Sequence, residues 1–323
     1  MTRRSAVLWI LFFLIGEGEV WSQTGLKKIT IISSSRSIVY IDLYVAQERG
    51  FFRDEGLEAE LVEVRSANIA IAALMSGEVD AVAGVGTILG AIYRGMPAKV
   101  LTVMGNRALF WLVSRPNFKS IPELKGRTLG VTTQGGSQHQ AALHLLRAGG
   151  LDPVTDLSTV VIGGAPTLLQ ALVRGPIQVT ALSPPTIVVA RDTFKMNVLA
   201  EPPKDFVRTQ GGLAVTEKYL SEKKDLVRKM LRARTRGHKY IHENEEGASE
   251  SLAKYTKLDL PIAIETYRIS RFGLTRNGVL TEKEVEELLK EDARIFGLSQ
   301  PVPASMVFDF SMQKEINREL GIQ

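Results

Sequence analysis

The chain has 323 residues, 45% hydrophobic and 23% charged, which is ordinary for a folded globular protein and excludes a disordered chain or a coiled coil. Lys and Arg number 40 against 35 Asp and Glu, a net charge of +5, but they are interleaved with acids, as in EKYLSEKKDLVRKMLRARTR, so a solvated helix face explains them better than a nucleic-acid surface. There is no cysteine, which excludes disulfides, a thiol nucleophile and an acylated N-terminal cysteine.

At the N-terminus Arg3 and Arg4 precede an apolar run from Ala6 to Ile15, then a polar stretch and Val20-Trp21-Ser22 before Gln23. That order predicts a secretory signal over residues 1–22. The run of 10 apolar residues is well short of the roughly 20 needed to span a bilayer. Strands are then expected at 27–33, 57–64, 79–83 and 98–104. Between them lie a helix through 44–49 stopped by Gly50 and an apolar helix over 69–75, with Ser66 as N-cap and Gly77 as stop. This alternation implies parallel pairing, and right-handed crossovers put the turn 84–87 at the carboxyl edge of the sheet, where open α/β folds bind small molecules.

A strand at 109–114 is expected to close a first lobe covering 23–115, leading into Arg115-Pro116-Asn117. A second lobe over 116–209 follows: strand 127–132, helix 137–148, strand 158–162, helix 166–173, strand 177–181, helix 186–192 and a strand near 196–200. Beyond Gly211-Gly212 the pattern turns largely helical, with a capping box at Thr281 and Glu284 ahead of the apolar stripe Val285, Leu288 and Leu289.

Three strands run into Ser, Thr or Gly turns that open helices: Ser33-Ser34-Ser35, Gly84-Val85-Gly86-Thr87 and Thr132-Thr133-Gln134-Gly135-Gly136-Ser137. Helix-start amides with small residues around them suit a carboxylate, sulfonate or phosphate, although each turn alone is also what any capped helix needs. Catalytic patterns are thin: no GxSxG elbow, Walker loop or HExxH is present. His238 and His242 have the i, i+4 spacing of metal ligands, but their stretch RGHKYIHENEE reads as a solvent-exposed helix face, and His139 reads as a plain helix histidine beside the third turn. No metal or cofactor is expected. Phe110, Trp111 and Tyr40 are candidates to stack on a flat ring, with core packing the better reading for Phe110 or Trp111, since successive strand residues face opposite ways and at least one should be buried.

The helix running into RGFFRDEGL, the following strand, ALMSGEVDAVAGVGT, and SIPELKGRTLGVTTQGGSQHQAALHLLRAGGLDP over 120–153 resemble the solute-binding proteins of ABC importers in the nitrate, taurine and alkanesulfonate family, which includes binders of thiamine pyrimidine precursors. The resemblance extends more weakly to about residue 310. It implies an α/β, two-lobe periplasmic-binding-protein fold of type II, with the cleft between lobes, crossings near 115 and 209, and a helical C-terminal part, 210–323, packed on lobe one. It also carries over ligand positions: Ser34 and Ser35, Val85, Gly86 and Thr87, Gly136, Ser137 and Gln138, and Ser183 with Pro184. Tyr40, one turn into the first helix, and Asn106 are secondary candidates, and Arg36 could neutralise an acidic ligand, although a loop arginine is more often merely solvated. The prolines at 184 and 185 favour a donor-poor wall and hence an organic ligand. The function implied is capture of a small organic, anionic molecule by a monomeric receptor and delivery to an inner-membrane ABC permease. Without a cysteine tether the expected compartment is a periplasm. Two rivals stand beside it: a pyrimidine-precursor synthase-like enzyme on the same fold, which would carry a dedicated histidine and a cysteine-rich segment, and a receptor reporting to a sensor kinase.

Overall fold

The computed structural model describes residues 25–33, 36–64, 67–204 and 206–323, with only the backbone of Ala67 and Thr87. The expected signal segment, Ser34, Ser35 and the Ser66 cap lie outside the described residues.

The chain opens with β1 (Lys27–Ser33), a 3-10 turn over Ile38–Tyr40, and helices α1 (Ile41–Glu48) and α2 (Phe51–Asp54). Then come β2 (Leu57–Glu63), α3 (Ala67–Ser76), β3 (Ala81–Val82), α4 (Val85–Ile92) and β4 (Ala98–Thr102). β1 pairs in parallel with both β2 and β3. Its Ile29 and Ile31 enter one core cluster and Ile32 another, the two-sided burial of a central parallel strand. β2 is the edge, and exposed Glu58, Glu60 and Glu63 protect it from pairing with another chain.

Two short strands then depart from expectation. β5 (Gly105–Arg107) pairs antiparallel with β11 (Val207–Gln210) in a separate two-stranded ribbon. β6 (Trp111–Ser114) belongs to the second sheet, pairing antiparallel with β9 (Val179–Leu182) and β10 (Asn197–Ala200). The first crossing between sheets is therefore at β5, ahead of the boundary expected at 115. The physical reason is pairing: an apolar strand such as Trp111–Ser114 fits the interior of either sheet, and its own sequence does not choose between them.

The second sheet has the order β10-β6-β9-β7-β8, with β7 (Arg127–Val131) parallel to β8 (Leu157–Val161) and to β9. Helices α5 (Ser137–Ala148), α6 (Ala165–Arg174) and α7 (Thr186–Asp192) connect its strands. Leu145 and Leu146 of α5 pack on Leu129 and Val131 in one core cluster.

After β11, β12 (Leu213–Thr216) slots antiparallel between β3 and β4, completing the first sheet in the order β2-β1-β3-β12-β4. The return to that sheet is thus a strand before it is helical. The helices that follow are α8 (Glu217–Glu222), α9 (Lys224–Glu243), α10 (Glu245–Thr256), α11 (Leu260–Ser270), α12 (Glu282–Phe296), α13 (Ala304–Val307) and α14 (Ser311–Glu319). The capping box of α12 forms: Glu284 N–H donates to Thr281 Oγ1 at 3.2 Å, and Thr281 N–H donates to Glu284 Oε2 at 3.0 Å.

α9 lies against α1 closely enough that Gly237 meets the backbone of Asp42 and Ala46. Inside this interface Arg234 Nε donates to Asp42 Oδ2 at 2.7 Å, with both side chains almost wholly buried. The first lobe, built on the first sheet, and the second, built on the other, meet at the β5–β11 ribbon.

Candidate functional site

The carboxyl ends of β1 and β3 and the start of α5 meet beside the ribbon, and the close approaches define the place. A Cβ at Gly86, in the first turn of α4, would lie 2.8 Å from the carbonyl oxygen of Thr209 on β11 and 3.9 Å from Ser137 Oγ at the start of α5. Only glycine allows that approach of a helix start to a hinge strand. Val85 touches Gly212, and Gly211 is packed against the Val39 carbonyl and Met104 Cβ. Gly211 and Gly212 have φ of +61° and +143°, so the chain can leave the ribbon and re-enter the first sheet in two residues. On the far side Ser37 Oγ donates to the Pro184 carbonyl at 3.4 Å, a direct bond from the loop after β1 to the loop after β9. Pro184 precedes a cis peptide bond to Pro185.

Both helices that begin here lack a side-chain cap: the N-cap residues are Gly84 for α4 and Gly136 for α5. The turn before α5 is held from within. Gly135, at φ +74°, donates its N–H to His139 Nδ1 at 2.9 Å, and Gly136 N–H donates to the Thr133 carbonyl at 3.2 Å. That bond requires Nδ1 to be unprotonated, and burial pushes the His139 imidazole below its usual pKa. Gln138 anchors the same turn: Thr132 N–H donates to its Oε1 at 3.1 Å, and its Nε2 donates to Thr180 Oγ1 at 3.2 Å and the Ala181 carbonyl at 3.0 Å.

The predicted positions divide accordingly. Val85, Gly86, Ser137 and Pro184 are brought to the meeting place, with Gly136 and Ser183 in the adjoining turns. Ser34, Ser35 and the Thr87 side chain lie outside the described residues. Gln138 is a correction, because both ends of its amide are engaged within the second lobe. Asn106 is another, since in β5 its Nδ2 donates to Glu284 Oε1 at 2.8 Å and ties the ribbon to α12. Tyr40 is buried at the N-cap of α1 instead of one turn inside the helix. Arg36 is held by Glu63 at 3.3 Å, so its charge already has a partner. Trp111 is a core residue, edge-on to Phe272. Ser37, Thr209 and Gln210 carried no signal in the sequence, whereas Ser33 belongs to the first of the three turns; Ser33 Oγ and Gln210 Nε2 are buried with no hydrogen-bond partner. The Gly211-Gly212 pair was the available signal for the hinge.

Arg208, next to Thr209, turns to Asp292, with which it forms a buried ion pair; Tyr93 also donates to Asp292. The ring of Phe206 lies 4.9 Å from the Arg208 guanidinium carbon and stacks on His144 of α5 at 4.4 Å.

His238 and His242 are not on an exposed face. Both present Nε2 to the Thr275 carbonyl at 2.7 Å, and His238 Nδ1 lies 3.0 Å from Met104 Sδ. Burial, His242 and Arg234 push His238 down to about pKa 3, so it is neutral at any physiological pH. The charged neighbours in RGHKYIHENEE point outward while the helix rolls its histidine side onto the core. Among the described residues no group of three or more His, Asp or Glu comes together to hold a metal.

Two α/β lobes joined by a two-stranded hinge, with uncapped helix starts meeting beside it, define a periplasmic-binding-protein architecture. The family model described as NMT1/THI5 like matches residues 37–248, and the chain belongs to that family. The riboflavin-binding protein RibY of Chloroflexus aurantiacus is 26% identical over 223 residues, which are 67% of this chain and 63% of RibY. Among solved structures, the alkanesulfonate-binding protein SsuA of Xanthomonas axonopodis pv. citri, bound to MOPS, superposes with a TM-score of 0.70 at 14% identity, covering 88% of this chain and 99% of that one. The periplasmic nitrate-binding protein NrtA of Synechocystis PCC 6803 gives 0.69 at 13%, covering 92% and 89%. At such identities these structures establish the fold. Relatives of this chain are thus substrate-binding proteins, and the sulfonate, nitrate and riboflavin specificities belong to them.

Proposed function

We propose that this chain is an exported solute-binding receptor that captures a small organic molecule through an anionic or strongly polar head and passes it to an ABC permease, without chemical turnover. The observation that carries the reading is the meeting of two uncapped helix starts, α4 and α5, one from each lobe, beside the hinge. A helix start carries about half a positive charge and amides with no partner inside the helix, so two of them attract an anion. A neutral donor at Ser137 and the unpartnered Ser33 and Gln210 add hydrogen-bonding capacity. Residues 1–22 act as the export signal, the mature protein is a periplasmic monomer, and the lobes divide at β5 and β11. Ligand contacts to both lobes favour the closed state, so affinity comes from differential binding to it.

The test is a thermal-shift screen of refolded mature protein against sulfonates, carboxylates, nitrate, riboflavin and pyrimidines, followed by calorimetry. A ligand at 100 times its Kd stabilises the fold by about 2.7 kcal/mol. Stabilisation by one class, weakened in Ser137→Ala, supports the reading. Absence of any shift across the panel counts against it.

A further inference from the structure

We propose that His139 is a positioning residue that makes the helix start of α5 sensitive to acid: its neutral imidazole holds the 133–136 turn in place, and protonation releases the turn and any ligand head held there. The inference rests on the ligand reading above only for its second half.

The argument is geometric. The turn must present Ser137 and the first amides of α5 to the first lobe, and it reverses direction at Gly135 with φ +74°, where a side chain offers no restraint. The Gly135 N–H is aimed back into the helix at His139 Nδ1, 2.9 Å away, and Gly136 N–H is taken by Thr133. His139 as a residue is 5% exposed, so packing limits where its ring can go and the turn is referred to a buried group. An N–H can donate to Nδ1 only while that nitrogen keeps its lone pair. In imidazolium both ring nitrogens carry hydrogen, so the Gly135 N–H faces another donor and the bond becomes a repulsion.

Among the described residues no charged group acts on the imidazole. α5 packs on β9 and β6, whose residues Val179–Leu182 and Trp111–Ser114 include no ionisable group, and the turn itself has none. Burial favours the neutral imidazole, and so does the Gly135 N–H donated to Nδ1. The sign follows: the turn is intact at neutral pH and is lost as pH falls through a value below the ordinary imidazole pKa. His144, one turn further along α5, stacks on Phe206 and makes no contact with the turn bond.

The experiment uses full-length mature protein labelled with 15N at glycine, without ligand, over pH 7.5 to 4.5. The expected result is that the Gly135 amide resonance moves with the same midpoint as the His139 ring, because one proton governs both. His139→Asn places an oxygen where Nδ1 was, so its Gly135 amide should stay at the neutral-pH position throughout. His139→Ala, with no acceptor, should show fast exchange of that amide at every pH. A Gly135 amide that stays fixed while His139 titrates, or that moves equally in His139→Asn, overturns the proposal. The second arm measures Kd for ethanesulfonate, a probe anionic across the range. If binding needs the neutral form, Kd rises by up to about tenfold per pH unit below the His139 pKa, and His139→Asn abolishes the rise. Unchanged Kd with a moving amide removes the ligand-release half. Ethanesulfonate binding at no pH counts against the proposed function, and the amide titration still decides the role of His139.

Discussion

Gly237→Ala tests the packing of α9 on α1 and has a sign that the structure decides. In an unconstrained helix interior, alanine is better than glycine by about 0.8–1.0 kcal/mol, so a loose interface would be stabilised by the change. Here the added methyl would fall far inside contact distance of the Asp42 carbonyl oxygen and lie 3.2 Å from both Cβ and N of Ala46. All of these are backbone or first side-chain atoms, which cannot swing aside, so the helices must separate. Overpacking of this kind costs about 1–3 kcal/mol, and the rigid neighbours place it at the upper end. The net expectation is a destabilisation of about 2 kcal/mol, or a fall in Tm of about 4–8 °C at the usual sensitivity for domains of this size. Gly90→Ala is the control: it also sits inside a helix, α4, but its added Cβ meets Cε1 of Phe296 at 2.7 Å, the far end of a half-exposed ring that can rotate. Its expected effect is between neutral and about 1 kcal/mol stabilising. Urea denaturation with unchanged m values, read for both variants, separates the cases. A Gly237→Ala protein as stable as the parent would refute the close α1–α9 contact.

Three other outcomes are expected. Asp42→Ala leaves Arg234 buried without its partner and should cost about 3–5 kcal/mol in urea unfolding, whereas the double change Asp42→Leu with Arg234→Met should restore much of it; equal losses in both would show that the pair is unimportant. Glu284 is pushed up by burial, but the Thr281 N–H and Arg107, with the smaller help of the Thr281 hydroxyl, outweigh this and hold it below the usual 4.5. Its contribution is therefore full above that value and lost as pH falls through the lowered pKa, so the Tm gap between the parent and Glu284→Gln should shrink in acid, and a constant gap from pH 7 to 3 would contradict it. Ser37→Ala removes the hydrogen bond between the lobes and should lower affinity for whichever ligand the screen identifies by up to about tenfold, following the roughly 0.5–1.5 kcal/mol of one such bond; calorimetry showing unchanged Kd would contradict it.

The sequence carried the regular elements well where periodicity and punctuation agree. Helices 137–148 and 186–192 are found within those limits, and Gly50, Gly77 and the Thr281–Glu284 box mark ends that the structure shares. It failed where identity depends on a distant partner. β5, β11 and β12 are three or four residues each, too short to show a period, and Gly105-Asn106-Arg107 has no strand propensity at all. They exist because the ribbon pairs segments about 100 residues apart in sequence, which no local pattern reports. The same limit misplaced Trp111–Ser114, which is apolar enough for either sheet.

The histidines failed for a different reason, and it bears on the site. Charge in RGHKYIHENEE was taken as a property of the whole stretch, but a helix sorts its residues by face, and on α9 the positions 230, 231, 234, 238 and 241 all turn inward. Three of these carry methionine, leucine and isoleucine, so the histidine at 238 lies on the stripe they define. The arginine at 234 shares it and enters the core with Asp42. The same logic explains why Gln138 and Asn106 are fixtures of the scaffold. Each occupies a place where a strand or turn leaves backbone or carboxylate groups needing partners, and a buried amide that satisfies several of them at once is no longer free to meet a ligand. Under the proposed function, recognition falls to groups with capacity left over: helix-start amides, short hydroxyls, and the buried ends of Ser33 and Gln210. A pocket built from such groups would read charge and shape through neutral donors. A family with this architecture can therefore change ligand class by altering a few loop residues while the two lobes and their hinge stay the same.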